Sequence, residues 1–172
     1  MPQPSALGAS RVLLRILRAF NLIMGVILVV AIPASFLFEP FFLEFFSKRP
    51  PHIDPTWLLP VLGIWLVLAI PMVAAVHVLL SRLLAVVETV RSGDPFVPEN
   101  AVRLKTIAWC VLAIQLLHLA FGMMAATLNA AGSNVEWTFS GMAGWVAVVL
   151  LFVLARVFEE GTRMREDLET MV

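Results

Sequence analysis

Polar side chains inside the apolar segments of the sequence are costly to bury and are therefore candidates for a functional role. Apart from Asn21 and several Ser and Thr residues, they are His77, Gln115 and His118. Two histidines on separate helices could ligate a haem or a metal ion, and all three residues could line a path for a solute. At a rise of about 1.5 Å per residue, His77 lies about 7 Å inward from the nearest charged residue, Arg82. His118 lies about 20 Å inward from Lys105, so the imidazoles are at different depths and we expect neither haem nor metal.

The rest of the sequence offers no catalytic constellation. It contains no GxSxG or HExxH motif and no phosphate-binding glycine loop, and no Asp or Glu falls inside the apolar segments. The single cysteine, Cys110, excludes an intramolecular disulfide and a CxxC redox pair. We therefore expect a protein without enzymatic activity and without a cofactor, in which Gln115 and His118 form hydrogen bonds between helices.

The elements that must position these side chains are membrane helices. Hydrophobic residues make up 60% of the 172 residues and charged residues 14%, against about 45–50% and about 25% in soluble domains. Twelve basic residues balance twelve acidic ones, so no basic excess indicates nucleic acid binding. Four uncharged segments approach or exceed the roughly 20 residues that cross a bilayer.

These segments predict an all-α, polytopic membrane protein with a single domain over residues 1–172. Its fold is expected to be a bundle of four transmembrane helices, with helices two and four extended into the cytoplasm. The predicted spans are approximately residues 15–38, 56–82, 104–129 and 137–158, with a cytoplasmic loop at 83–103 and a cytoplasmic tail at 159–172.

The distribution of basic residues predicts the orientation. Ten of the twelve precede span one, lie between spans two and three, or follow span four, and only Lys48 and Arg49 fall on the other side. Because Lys and Arg near span ends resist translocation, both termini are expected in the cytoplasm. The arginines before span one, Arg11, Arg15 and Arg18, share a helical face where they can attract anionic lipid.

The two predicted cytoplasmic extensions carry apolar stripes that need a cover. Helix two continues as far as the turn at 92–95, and the tail repeats apolar residues along one face. These tail positions are Val157, Gly161, Met164, Leu168 and Met171. We expect the two extensions to pack against each other, with the turn folded onto them, Phe96 inserted and Pro98 in the first turn of helix three. Opposite charges four residues apart, as in Arg156 with Glu160 and Glu159 with Arg163, predict ion pairs along the tail.

Two segments of this cytoplasmic face resemble a known family. The stretches at 93–104 (GDPFVPENAVRL) and 158–167 (FEEGTRMRED) are similar to the two hallmark segments of the bacterial family of domain of unknown function 2975 (DUF2975). The resemblance implies a small four-span protein of the bacterial inner membrane, and a regulatory protein as a partner. The positions that carry it are Gly93, Pro95, Phe96, Asn100, Leu104, Phe158, Gly161 and Asp167.

Two functions of different classes remain open from the sequence. In the first, the cytoplasmic face made by residues 91–105 and 156–172 binds a protein partner or a second copy of the chain. In the second, the chain is a subunit of an oligomeric small-solute transporter or channel, with Pro71 as a hinge and with His77, Gln115 and His118 as its polar lining. The bilayer, a homo-oligomer and a cytoplasmic regulatory protein are thus the expected partners.

Overall fold

The computed structural model describes residues 6–41, 44, 55–130, 135–137 and 141–169. This part of the chain forms four long helices: α1 (Ala6–Leu37), α2 (Pro55–Arg91), α3 (Pro98–Ala130) and α4 (Met142–Glu169). Each contains a segment long and apolar enough to cross a membrane. The prediction of an all-helical chain with four candidate spans is therefore confirmed.

Consecutive helices pack side by side in antiparallel fashion. Helix α1 contacts α2, α2 contacts α3, and α3 contacts α4, while α1 and α4 make no packing contact within the described residues. Within the described residues, the four helices of the predicted bundle thus lie in an open row. The short connection between α2 and α3, residues 92–97, returns α3 alongside α2.

Helix α3 also changes the expected packing of the extensions. Its N-terminal half lies between α2 and α4, so these two helices do not pack directly against each other in the described part of the chain, contrary to the prediction. The buried cluster at this position joins Leu104 and Ile107 of α3 to Ala155 of α4, with Leu79 and Leu83 of α2 packed against it. Helix α3 is therefore the element through which the ends of α2 and α4 are connected.

Most of the apolar surface points outward. Only 6% of the most apolar window of α1 is buried inside the protein, and none of that of α2. Side chains such as Val29, Val67, Val149 and Leu150 are half or more exposed. Such a surface is unfavourable in water and favourable in hydrocarbon, so its lipid environment follows from the packing as well as from the composition.

The charged part of α4 pairs differently from the prediction. Arg156 contacts Glu159 at 3.0 Å and Arg163 contacts Glu160 at 3.7 Å, so both ion pairs span three residues and not the predicted four. Neighbours at both spacings lie on the same helical face, and the side-chain rotamers decide between them. One other prediction falls outside the described residues: the end of the tail stripe at Met171.

Candidate interaction site at the α2–α3 turn

Helix α2 ends in a Schellman motif. The Gly93 N–H donates to the Val90 carbonyl and the Asp94 N–H to the Thr89 carbonyl, each at 3.2 Å. Gly93 has a φ of +90°, a conformation that glycine adopts without a steric penalty. The first hallmark glycine is therefore required by backbone geometry, because it reverses the chain within a few residues of the last turn of α2.

Asn100 fixes the other side of the turn. Its side chain is 0% exposed and is the largest fully buried side chain among the described residues. The Nδ2 group donates to Thr89 Oγ1 at 2.7 Å and to the Pro95 carbonyl at 2.9 Å, while Oδ1 accepts from Arg103 at 2.8 Å. One amide thus joins the end of α2, the turn and the start of α3, which explains its burial without a hydrogen-bonding deficit.

Phe96 connects the turn to α4. Its ring lies 5.4 Å from that of Phe158, between centroids, and passes directly over Gly161. A Cβ atom at Gly161 would lie 3.1 Å from two atoms of the Phe96 ring, so a larger residue there would push the ring away. Phe96 is nevertheless 43% exposed. The predicted insertion is therefore only partial, and Phe96 keeps exposed surface beside α4.

An ion pair adds a second link between the turn and α4. Asp94 contacts Arg165 across the two segments, and both side chains remain partly exposed. Thr162, one position beyond Gly161, is 6% exposed and donates to the Phe158 carbonyl at 2.9 Å. The turn thus contacts α4 through an aromatic stack and a pair of opposite charges, in addition to the buried cluster around Leu104.

Seven of the eight positions predicted from the hallmark segments come together in this site. They are Gly93, Pro95, Phe96, Asn100, Leu104, Phe158 and Gly161. Asp167 lies on the exposed part of α4 beyond them. Sequence reasoning missed Thr89, which lies outside the predicted face, although it is a polar residue in the apolar run just before the turn and could have been noticed there.

A comparison with protein families assigns the chain to a family. Residues 58–172, more than half of the chain, match the model of a family described as Protein of unknown function (DUF2975). The chain belongs to this family. The match covers most of α2 and all of α3 and α4, so the whole α2–α3 turn site lies within the part that defines DUF2975 proteins. No curated protein and no solved structure matches the chain.

The three polar residues predicted as a lining lie at two different helix contacts of this DUF2975 protein. His77 borders the groove between α1 and α2, where Asn21 donates to the Val73 carbonyl at 3.1 Å. Gln115, 7% exposed, lies between α3 and α4, and its Nε2 has no hydrogen-bond partner within the described residues. The structure therefore does not place His77 beside Gln115, and the lining remains a prediction from the sequence.

His118 packs against an aromatic side chain from the loop before α4. Its ring lies 4.6 Å from that of Trp137, between centroids. Trp137 also stacks on Phe121 and meets Trp65 of α2 edge to face. These aromatic contacts join α2, α3 and the loop before α4 at the end of the helices opposite the α2–α3 turn. Among the described residues, no group of three or more His, Cys, Asp or Glu side chains is arranged to hold a metal ion.

Charged and apolar groups surround the turn on the side of α4. A groove of about 550 Å³ runs between the start of α3 and the end of α4. Its charged residues are Lys105, Arg156, Glu159, Glu160, Arg163 and Glu166, three basic and three acidic. Val102, which also lines the groove, is 66% exposed. A smaller cavity of about 190 Å³ containing Phe96 adjoins it through shared residues.

Proposed function

We propose that this DUF2975 protein is a non-catalytic multi-pass protein of the bacterial cytoplasmic membrane, with both termini in the cytosol. Its α2–α3 turn and the adjoining α3–α4 groove bind a cytosolic protein partner. The observation that carries this proposal is the partial exposure of Phe96, an aromatic side chain held in place by the Asn100 hydrogen bonds and the contact with Gly161.

The division between internal and exposed residues supports a binding role. Asn100 and Leu104 are buried and hold the turn from inside, so they have no free surface to offer. Phe96 and Val102 are the exposed apolar groups beside them. A rigid aromatic or aliphatic group surrounded by charged side chains is typical of interface anchors, because little conformational entropy is lost on binding.

The mixed charge of the groove favours a protein over a nucleic acid. Its three basic and three acidic residues cancel, whereas a polyanion requires a surplus of basic side chains. Opposite charges placed side by side suit a partner with its own alternating charges, such as the exposed face of a helix. The resemblance to DUF2975 implied a regulatory partner, and a groove of this chemistry is able to receive one.

Site-specific photocrosslinking in intact cells tests the proposal. A photoreactive residue at Val102 is expected to capture a discrete protein, whereas the same residue at Val12 is not. Val12 is a suitable control because it is a similarly exposed valine near the end of another helix, outside the groove. Phe96→Ala should then reduce the Val102 crosslink while insertion into the membrane stays normal.

Three results of this experiment would contradict the proposal. The first is a Val102 crosslink to lipid alone. The second is equal capture at Val102 and Val12. A product that contains only two copies of this chain would assign the groove to self-association instead of to a cytosolic partner.

A further inference from the structure

A second cavity at the same end of the molecule carries a strong positive charge. This cleft of about 740 Å³ lies where α1, the end of α2 and the start of α3 meet, and five arginines line it: Arg11, Arg15, Arg18, Arg91 and Arg103. Among the described residues, Glu88 is the one carboxylate in its lining, and it contacts Arg11 at 2.9 Å. Five positive charges and one negative charge leave a formal surplus of four.

Three of these five arginines have no carboxylate partner in the part of the chain that the structure describes. Within the described residues, no carboxylate pairs with Arg15, Arg18 or Arg91. Like charges repel one another when they are held on facing helices, and their repulsion is relieved by a bound anion. Guanidinium groups in such a cluster bind phosphate oxygens with paired, directional hydrogen bonds.

An apolar groove continues from the cleft along the same contact between α1 and α2. It has a volume of about 510 Å³ and is lined almost entirely by apolar side chains, including Leu22, Val26 and Ala74. Arg18 of the cleft precedes Leu22 by one helical turn, and Ser81 of the cleft follows His77 of the groove by one turn. The charged cleft and the apolar groove thus lie one after the other along the helix pair, and we refer to the two together as the channel.

We propose that this channel binds an anionic phospholipid. The phosphate of its headgroup lies among the cleft arginines, and one acyl chain lies in the α1–α2 groove. The adjacency of the two cavities favours a lipid over a free phosphate, because only a lipid fills both. The surplus of positive charge favours an anionic headgroup over a zwitterionic one. This proposal is independent of the partner groove, which lies on the opposite side of α3.

Native mass spectrometry of the full chain in detergent tests the headgroup contacts. Phosphatidylglycerol and phosphatidylcholine are added at equal concentration, and the bound lipid is identified from its mass. We expect phosphatidylglycerol to be retained preferentially. Replacing Arg15 and Arg18 by Gln should weaken its retention about fivefold for each arginine and about 30-fold for the pair.

A matched double variant on α4 controls for the loss of general charge. Arg156 and Arg163 are also solvent-exposed arginines, 72% and 71% exposed, and neither lines the cleft. Replacing both by Gln removes the same charge from the protein, and we expect phosphatidylglycerol retention to be unchanged. Size-exclusion elution and circular dichroism show whether each variant has kept its fold.

A second pair of variants tests the acyl-chain groove. Ala74→Phe fills the groove at an exposed position and should lower phosphatidylglycerol retention about tenfold. This is the change expected when about two methylene groups of the acyl chain lose their contact with the groove. Ala126→Phe adds the same ring at an exposed position on α3 and should leave retention unchanged. Inorganic phosphate, added to the protein with bound phosphatidylglycerol, should displace the lipid only weakly.

Several results would overturn the proposal. Equal retention of phosphatidylcholine would remove the role of the arginine charge. Equal losses in the cleft variant and the α4 variant would show a nonspecific effect of net charge. Strong competition by inorganic phosphate, together with no effect of Ala74→Phe, would assign the cleft to a free phosphate instead of a lipid.

Discussion

The Asn100 side-chain amide donates a 2.7 Å hydrogen bond to the hydroxyl of Thr89, joining the first turn of α3 to the last turn of α2. The Thr89 hydroxyl in turn donates to the Val86 carbonyl at 2.8 Å. Both residues lie where two helices and a turn meet; Asn100 is buried and Thr89 is partly buried. A buried hydrogen bond of this kind stabilises one particular arrangement, since breaking it leaves polar groups without partners.

We expect Asn100 and Thr89 to be energetically coupled. Asn100→Leu should destabilise the protein by about 1–3 kcal/mol for each buried group left without a partner. In a double-mutant cycle with Thr89→Val, measured by unfolding in mixed micelles, the coupling energy should be about 0.5–3 kcal/mol. Thr127→Val is the control, because the exposed Thr127 hydroxyl bonds only within its own helix, to the Met124 carbonyl. Additive effects in the Thr89 cycle would contradict the network.

Gly93 should tolerate asparagine better than alanine. At this position alanine would have to adopt a φ of +90°. A left-handed conformation costs a residue with a Cβ about 1–2 kcal/mol. Asparagine visits this region more readily, so Gly93→Asn should recover part of the loss. No atom lies within 4 Å of a Cβ at this position, so any loss of thermal stability reports on the backbone alone. Equal stability of the alanine variant and the wild type would refute the requirement for glycine.

Two glycines inside helices should respond to alanine in opposite directions. At Gly144 a Cβ would overlap the amide of Gln115, so Gly144→Ala should cost about 1–3 kcal/mol through overpacking of α3 against α4. At Gly63 nothing lies within 4 Å, and Gly63→Ala should stabilise α2 by about 0.5–1 kcal/mol. Thermal melting in detergent measures both changes. Adding Gln115→Ala should relieve the Gly144→Ala defect, and a failure of this rescue would show that the overlap is not its cause.

Reporter fusions test the orientation on which the proposed partner depends. A green fluorescent protein fused after Val172 should fluoresce, and an alkaline phosphatase at the same position should be inactive, because basic residues keep that end in the cytosol. The phosphatase fused after Ala130, beyond the third helix, should be active. A phosphatase that is active only after Val172 would place the α2–α3 turn outside the cell and would exclude a cytosolic partner.

The positions of the helices follow largely from local sequence signals. Gly93 and Pro98 bracket the connection between α2 and α3, and both signals act within a few residues, through the φ angle of glycine and the missing N–H of proline. The hallmark residues could likewise be identified without coordinates. Their division into buried and exposed groups could not, because Asn100 and Phe96 lie four residues apart and both could have faced a partner.

The sequence by itself determined that this is a chain of four apolar helices, because length and hydropathy are properties of each segment alone. Tertiary structure decided which segments touch. It placed α3 between α2 and α4, paired Arg165 with Asp94, and brought Arg91 and Arg103 beside the arginines of α1. These contacts join residues far apart in the chain, and they depend on how side chains such as Phe96 and Gly161 fit together, which periodicity does not specify.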